Sequence, residues 1–532
     1  MIMVTNTMDE GYWESFKLEE DDIEFLYNHL LDLETPLTPL EIVDALVDER
    51  IRRQKLELER QRTSGGELYQ PKGSYREKQK LVFPALGWQR GEVVGVRLGS
   101  NPELGEFKVI QVVFDGGAQR EFAADLQEHV LNAPPKIEDD FSHMDKHSVL
   151  QNYAEDLVDA LEQGLHSNPG FVRIAGRWFP RALLVDIHVG HLNLAEAILD
   201  EAGGGPLPTS ALMEQIDLPS DVNPKLIEFS FDLALQEDER FDEVGPAGDV
   251  LWYLKRLEPA GVLEPPLFLR YAGVDYDRSL MTKEMLALEQ FLNDELSPLK
   301  ADQRLGDNRQ ASEGEVRLIY PHWRAGTLPL SSRIRHLFPT AYEAPRIRFI
   351  LVDGDTGDNF PAWVVPEKRY VYGLEDWYEQ KGAIPGSLIR VRRSETPGEV
   401  IVQMEGRRSS REWIRTVLVG SDGGIVFAML KQIITGTFDE RMATAIPDKE
   451  AIDRTWEQHH KDQPPFERVV VNTVRELAKL NPQSHVHASE LYAAINIVRR
   501  CPPGPILSLL ASRPWFIHVG DLHYRLSDIE DD

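Results

Sequence analysis

The chain has 532 residues, 42% of them hydrophobic, and a formal net charge of -30 at pH 7; at ~100–200 residues per domain this predicts about three to five packed domains. No apolar run reaches the ~18–20 residues of a membrane span, and the opening MIMVTNTMDEGYW lacks the basic and apolar regions of a secretory signal. A single cysteine, Cys501, excludes an internal disulfide and a multi-cysteine zinc site, the acidity argues against wholesale wrapping of nucleic acid, and the expected setting is a reducing cytoplasm.

Residues 1–66 read as an N-terminal helical segment. Thr38-Pro39-Leu40-Glu41 is a capping box with proline at the first helical position, and Leu40, Val43, Leu46, Val47 and Ile51 follow with helical spacing. Beyond Ile51 the sequence turns mostly charged, as a protruding helix or a solvated lead into a linker. Residues 67–135 hold about five short strands punctuated by glycines, which predicts a small SH3-like barrel. Eight basic and eight acidic residues cancel over 68–132, so a structural or protein-binding barrel fits better than one that reads nucleic acid.

Residues 140–260 begin with a helix and the segment FVRIAGRWFPRALLVDIHVGH. Three helical patterns follow, LNLAEAILDEA, TSALMEQI and NPKLIEFSFDLALQED, closed by a hairpin around Gly245. This stretch is strongly acidic. Residues 261–316 read as a connector. Residues 317–440 read as an arginine-rich barrel, with 16 basic and 12 acidic residues over 317–415, 14 of the basic ones arginine. Such segregation predicts parts with different partners.

The last segment, 455–532, repeats the plan of three short helices and a hairpin. Val470, Val474 and Leu477 share one helical face, and Leu491, Ile495 and Val498 another. A PGPILSLL helix leads into WFIHVGDLHYRL, where Gly520-Asp521 marks the tip and Phe516, Val519, Tyr524 and Leu526 are expected to tie the strands to the helices. Three helices closed by such a hairpin resemble the winged-helix modules of the HARE type, also found in the delta subunit of bacterial RNA polymerase. That resemblance, loose and about 60 residues long at each place, implies contacts with RNA polymerase or other transcription machinery.

The stretch 326–394 has its own order of signals. Leu328-Pro329 precedes a strand, Asp353 to Trp363 forms a turn and a second strand, and Gly373-Leu374 opens a helix through Trp377. Pro385-Gly386 then returns the chain to SLIRVRR. This order resembles the B3-type DNA-binding pseudobarrel, over about 70 residues. The resemblance implies two arms gripping the major groove, at Ser331–Arg335 and Glu367–Arg369; it departs from the family at Gly386-Ser387, where an aspartate often follows the glycine. The fold expected overall is thus multidomain α+β, with N-terminal helices, an SH3-like barrel, two winged-helix domains and a central B3-like pseudobarrel.

The cations expected to touch DNA are Arg333, Arg335, Lys368, Arg369, Arg390, Arg392 and Arg393 in the barrel, and Arg499, Arg500 and Arg513 in the last module. The alternative is that these arginines pair with the chain's own acids. No catalytic signature emerges. Asp353 to Asp358 lacks the glycine and distal glutamate of a calcium loop, and His188/His191 and His485/His487 lack further ligands. No Walker, Rossmann, Gly-x-Ser-x-Gly or zincin motif is present, so no enzyme, cofactor, metal or small-molecule substrate is expected. Three roles fit: a DNA-binding, transcription-associated regulator; a protein scaffold that binds no nucleic acid; or the DNA-reading subunit of a restriction or defence system.

Overall fold

The computed structural model describes residues 10–63, 66–101, 105–132, 146–219, 222–298, 311–420 and 423–527. Its chain divides into two compact units, residues 1–173 with 177–184, and residues 174–176 with 185–532. Both mix helices and sheets. Among the described residues no helix is long and apolar enough to cross a membrane.

The first unit starts with α1 (Glu10–Glu14), α2 (Glu20–Leu33) and α3 (Pro39–Thr63). The Thr38 amide donates to Glu41 at 2.7 Å and the Glu41 amide to Thr38 Oγ1 at 3.3 Å, so the expected capping box forms. Val43, Leu46, Val47 and Ile51 are buried, whereas Leu40 faces solvent. Behind them Arg50, itself buried, pairs with Asp22 and donates to the Lys17 carbonyl at 2.7 Å. Strands β1 (Glu67–Leu68), β2 (Lys80–Phe83), β3 (Gln89–Leu98), β4 (Lys108–Phe114) and β5 (Gln119–Ala124) form one sheet in sequence order. Their inward residues Leu81, Phe83, Val93, Ile110 and Val112 make a core of their own. Helix α4 (Lys146–His166) and the hairpin of β6 (Phe171–Ile174) and β7 (Arg177–Pro180) follow.

The second unit opens with an acidic module: α5 (Val189–Glu201), β8 (Leu207–Pro208), α6 (Thr209–Met213), α7 (Pro224–Glu237), β9 (Phe241–Glu243) and β10 (Leu251–Leu254). Leu199, Leu212, Phe231, Leu235 and Trp252 fill its core, under a sheet of order β8-β10-β9. Helix α8 (Ala260–Leu263) and helix α9 (Lys283–Leu292) come next. The stretch read as a connector is therefore partly core: α9, capped by Thr282, buries Met285, Leu288 and Leu292.

Strand β11 (Glu313–Arg317), helix α10 (Tyr320–Arg324), β12 (Thr327–Pro329), β13 (Ile347–Asp353), β14 (Asn359–Val365), β15 (Tyr370–Tyr372), helix α11 (Glu375–Lys381), β16 (Leu388–Arg393) and β17 (Glu399–Gln403) build the central sheet. Its order, β11-β16-β17-β13-β14-β15-β12, coils into a nearly closed barrel. Period-two alternation sets it up, since Ile347, Phe349 and Leu351 of β13 point inward to meet Leu328, Val364, Val391 and Val402. Gly386 sits at φ 98°, and a Cβ there would lie 2.5 Å from the Ala443 backbone, so only glycine fits the approach.

A long ribbon, β18 (Gly406–Val419) and β19 (Ile425–Gly436), pairs with short β20 (Thr444–Ala445). Helix α12 (Lys449–Asp462), capped by Asp448, leads to α13 (Phe466–Ala478), β21 (Val486–His487), α14 (Ala488–Val498), α15 (Pro503–Ser512), β22 (Phe516–Gly520) and β23 (His523–Leu526). The sheet order β21-β23-β22 matches that of the acidic module, and so does the helix–strand–helix–helix–strand–strand sequence. The turn falls at Asp521-Leu522, both at positive φ. Phe516 and Tyr524 are buried as expected, Leu526 is partly buried, and Val519 is 37% exposed and does not tie the hairpin down.

Candidate nucleic-acid interface

The two arms expected to grip DNA start from neighbouring strands. β12 pairs with β15, and the Leu330 amide donates to the Arg369 carbonyl at 2.8 Å, which brings Ser331–Arg335 beside Glu367–Arg369. The Arg393 guanidinium donates to the His336 carbonyl at 2.9 Å, so the end of β16 joins the same region. Arg335 and Arg392 are exposed there, and neither has a carboxylate partner among the described residues.

The space between the arms is not open. Asn293, the left-handed cap of α9, donates to Ser331 Oγ at 2.8 Å and accepts from Ser332 Oγ at 2.7 Å. On the opposite arm, Arg369 donates to the Glu295 carbonyl at 2.8 Å. Residues 293–295 thus bridge the arms from within the chain.

Beyond that bridge lies a buried charged cluster. Arg500 donates to both carboxylate oxygens of Asp294, at 2.9 and 2.7 Å, and to Glu295 Oε1 at 2.6 Å. Tyr492 Oη donates to Asp294 at 2.6 Å, and His322 Nε2 lies 3.1 Å from Glu295 Oε1. Burial alone would raise the Glu295 pKa, yet the guanidinium and the imidazole hold it below the usual carboxylate range. Burial likewise opposes the Arg500 charge, and the two carboxylates hold its pKa well above normal. Arg500 was expected to touch DNA; with its side chain 0% exposed, it instead locks the last module to the stretch after α9.

The remaining candidates divide. Arg333 is half-buried, its pKa lowered by burial and by Arg317, and its guanidinium lies 3.4 Å from the Glu315 carbonyl. Arg390 pairs with Glu405 at 2.6 Å, and the register sets Glu315 opposite Arg390 and Glu313 opposite Arg392 on the outer sheet face. Lys368 pairs with its neighbour Glu367 at 2.7 Å. Arg499 lies near the Pro464 and Ala272 carbonyls, and Arg513 pairs with Glu467 at 3.1 Å. Three of the barrel's other arginines also turn to their own chain. Arg346 pairs with Asp242 and lies 2.9 Å from Glu258, Arg324 binds Asp453, and Arg415 is buried beside Glu490. The Arg346 contacts fasten the acidic module to the barrel, together with Trp363 and Tyr370 packed on Val244 and Tyr253.

The other motifs resolve into structural roles. His188 caps α5, with Nδ1 accepting from the Gly190 amide, and stacks on His191. His487 caps α14 in a capping box with Glu490. Asp353 is buried rather than solvated: it accepts from the Asp355 amide and the Trp377 indole, and Lys381 lies 2.8 Å away. Cys501 is buried too. No three-residue set of His, Cys, Asp or Glu fit to hold a metal occurs among the described residues. No family model matches the chain, and no curated protein or solved structure is similar to it.

Proposed function

We propose that this protein is a non-enzymatic interaction scaffold of the reducing cytoplasm, whose arginine-rich barrel holds an acidic module and a C-terminal module and whose contacts are with proteins. The modules follow the winged-helix plan, which serves protein binding as readily as DNA binding. One observation carries the reading: residues 293–295 span the arms that a DNA-gripping barrel would need free. The net charge of -30 points the same way, because it repels polyanions at long range. On this reading the full chain gives no salt-sensitive shift of duplex DNA at low ionic strength, and its partners co-purify after nuclease treatment.

The second reading, a transcription-associated DNA-binding regulator, is favoured by the exposed Arg335 and Arg392 near the end of β16. It requires a low-salt gel shift that weakens steeply with added salt and is lost on reversing Arg335 and Arg392. Such a shift would replace the scaffold reading.

A further inference from the structure

The ribbon β18–β19 has one face that the rest of the second unit leaves open. In its register Arg411 faces Ile433, Trp413 faces Lys431, Arg415 faces Met429 and Val417 faces Phe427. These pairs lie on one side. Val417 and Phe427 are buried in the large core shared with the C-terminal module. Toward the other end that side emerges into solvent: Trp413 is 61% exposed, Ile433 63% and Met429 42%. The opposite side is covered in part: Ile414 and Ile434 pack with Ala443 and Ala445, while Leu418, Val426 and Leu430 are exposed but less so than Trp413 and Ile433.

An exposed tryptophan beside an exposed isoleucine and methionine is costly for a surface that only meets water. The charge on this face is also unbalanced. Lys431 Nζ lies 5.3 Å from the Trp413 ring centroid, and neither Lys431 nor Arg411 has a carboxylate partner among the described residues. In a chain of net charge -30, cations left without acids mark a place where acid is brought from outside. The strand geometry says how. β19 is the outer strand of its sheet, and β20 covers only Arg415 and Thr416 of β18. Among the described residues, no backbone hydrogen bond from another segment reaches 426–434 beyond those to β18.

We infer that this face is a docking site for an extended acidic segment of a partner protein, added as a strand along the free edge of β19. Neighbours across a new pair of strands alternate faces. The segment that fits carries an apolar side chain beside Ile433, an acid beside Lys431 and an apolar side chain beside Met429, at every second residue. A single-stranded nucleic acid fits less well, because it asks for several stacking rings and this face offers one. The inference rests on the scaffold reading and names the chemistry of its partner.

The probe is a fluorescein-labelled peptide with Val, Glu and Val at alternate positions and Ser or Thr between, read by anisotropy against the full chain. A peptide with Lys in place of Glu and an oligothymidylate strand are the comparisons. The Glu peptide is expected to bind at least about tenfold more tightly than the Lys peptide, and Arg411→Glu with Lys431→Glu is expected to invert that order. Both substituted residues are exposed, so an unchanged Tm shows that the variant is folded. Trp413→Ala is expected to weaken the Glu peptide about tenfold, and hydrogen exchange is expected to slow at 426–434 when it binds. Equal binding of the two peptides, binding of neither, or displacement of the Glu peptide by oligothymidylate overturns the inference. So does a dimer of the chain that Trp413→Ala dissolves, which gives the face to a second copy. None of these results decides the scaffold reading, which stands or falls on duplex DNA binding.

Discussion

Arg500 and Asp294 are 206 residues apart in sequence and meet through two parallel hydrogen bonds in a site that excludes water. The pair is charge-assisted and bidentate, the arrangement in which a guanidinium binds a carboxylate most strongly. Glu295 and Tyr492 complete it. Removing the cation strands two buried carboxylates. Arg500→Met is therefore expected to cost about 3–5 kcal/mol of stability, measured by urea unfolding of the second unit. A loss below about 1 kcal/mol would show that water enters the cluster.

Within the first arm, two nearby arginines carry opposite predictions. Arg335 is exposed, so Arg335→Glu is expected to change stability by less than about 0.5 kcal/mol. Arg333 is half-buried against the Glu315 carbonyl. A carboxylate at that site loses its donor, faces a backbone oxygen and is desolvated, so Arg333→Glu is expected to lower Tm clearly. Thermal unfolding of the two variants side by side checks this, and equal effects would contradict the burial difference.

How far the sequence revealed these features depended on how local each was. The helices of the last module were legible because Val470, Val474 and Leu477, and likewise Leu491 and Ile495, repeat with helical period and are buried. The two arm segments were named only through the resemblance to the B3-type pseudobarrel, and it is the pairing of β12 with β15 that sets them side by side. The fate of Arg500 was not. Arg499 and Arg500 are neighbours of identical type, yet one is partly exposed and the other fully buried. What separates them is Asp294-Glu295, in a stretch whose prolines and polar residues read as a connector. A partner so distant in sequence leaves no periodic trace. Trp413 was passed over for the same reason: nothing local tells an open sheet face from a covered one.

Asp232 gives a pH dependence with a definite sign. Its carboxyl is buried and accepts from Thr209 Oγ1 at 2.5 Å and from the Trp252 indole at 3.0 Å. Burial pushes its pKa up to about 7, against the hydrogen bonds, which lower it. The folded-state value lies above the unfolded one of about 4. This group's contribution is therefore fully present below about pH 4 and is lost as pH rises toward about 7. Asp232→Asn keeps an oxygen for both donors and has no proton to lose. The variant is expected to gain stability over the parent on going from pH 5 to pH 8, by on the order of 2 kcal/mol, in Tm measured across that range. Parallel pH profiles for the two proteins would mean that water or a cation already compensates the charge.

Cys501 follows Arg500 directly, and its thiol reports on the same lock. The side chain is fully buried, with Sγ 3.3 Å from the Pro502 carbonyl and the Cys501 amide donating to Asn496 Oδ1 at 3.1 Å. Burial pushes its pKa up to about 12. Disulfide exchange needs both access and thiolate, and the folded site supplies neither. The native protein is expected to resist a chromogenic disulfide reagent at mildly alkaline pH, and to react with one equivalent once unfolded in guanidinium. Prompt native labelling would contradict the buried position. Because Asn496 holds both the Cys501 amide and the Arg500 guanidinium, Arg500→Met is also expected to speed labelling in the absence of denaturant. A variant that lost stability without faster labelling would place the opening elsewhere, between the barrel and the stretch after α9, with the C-terminal module itself intact.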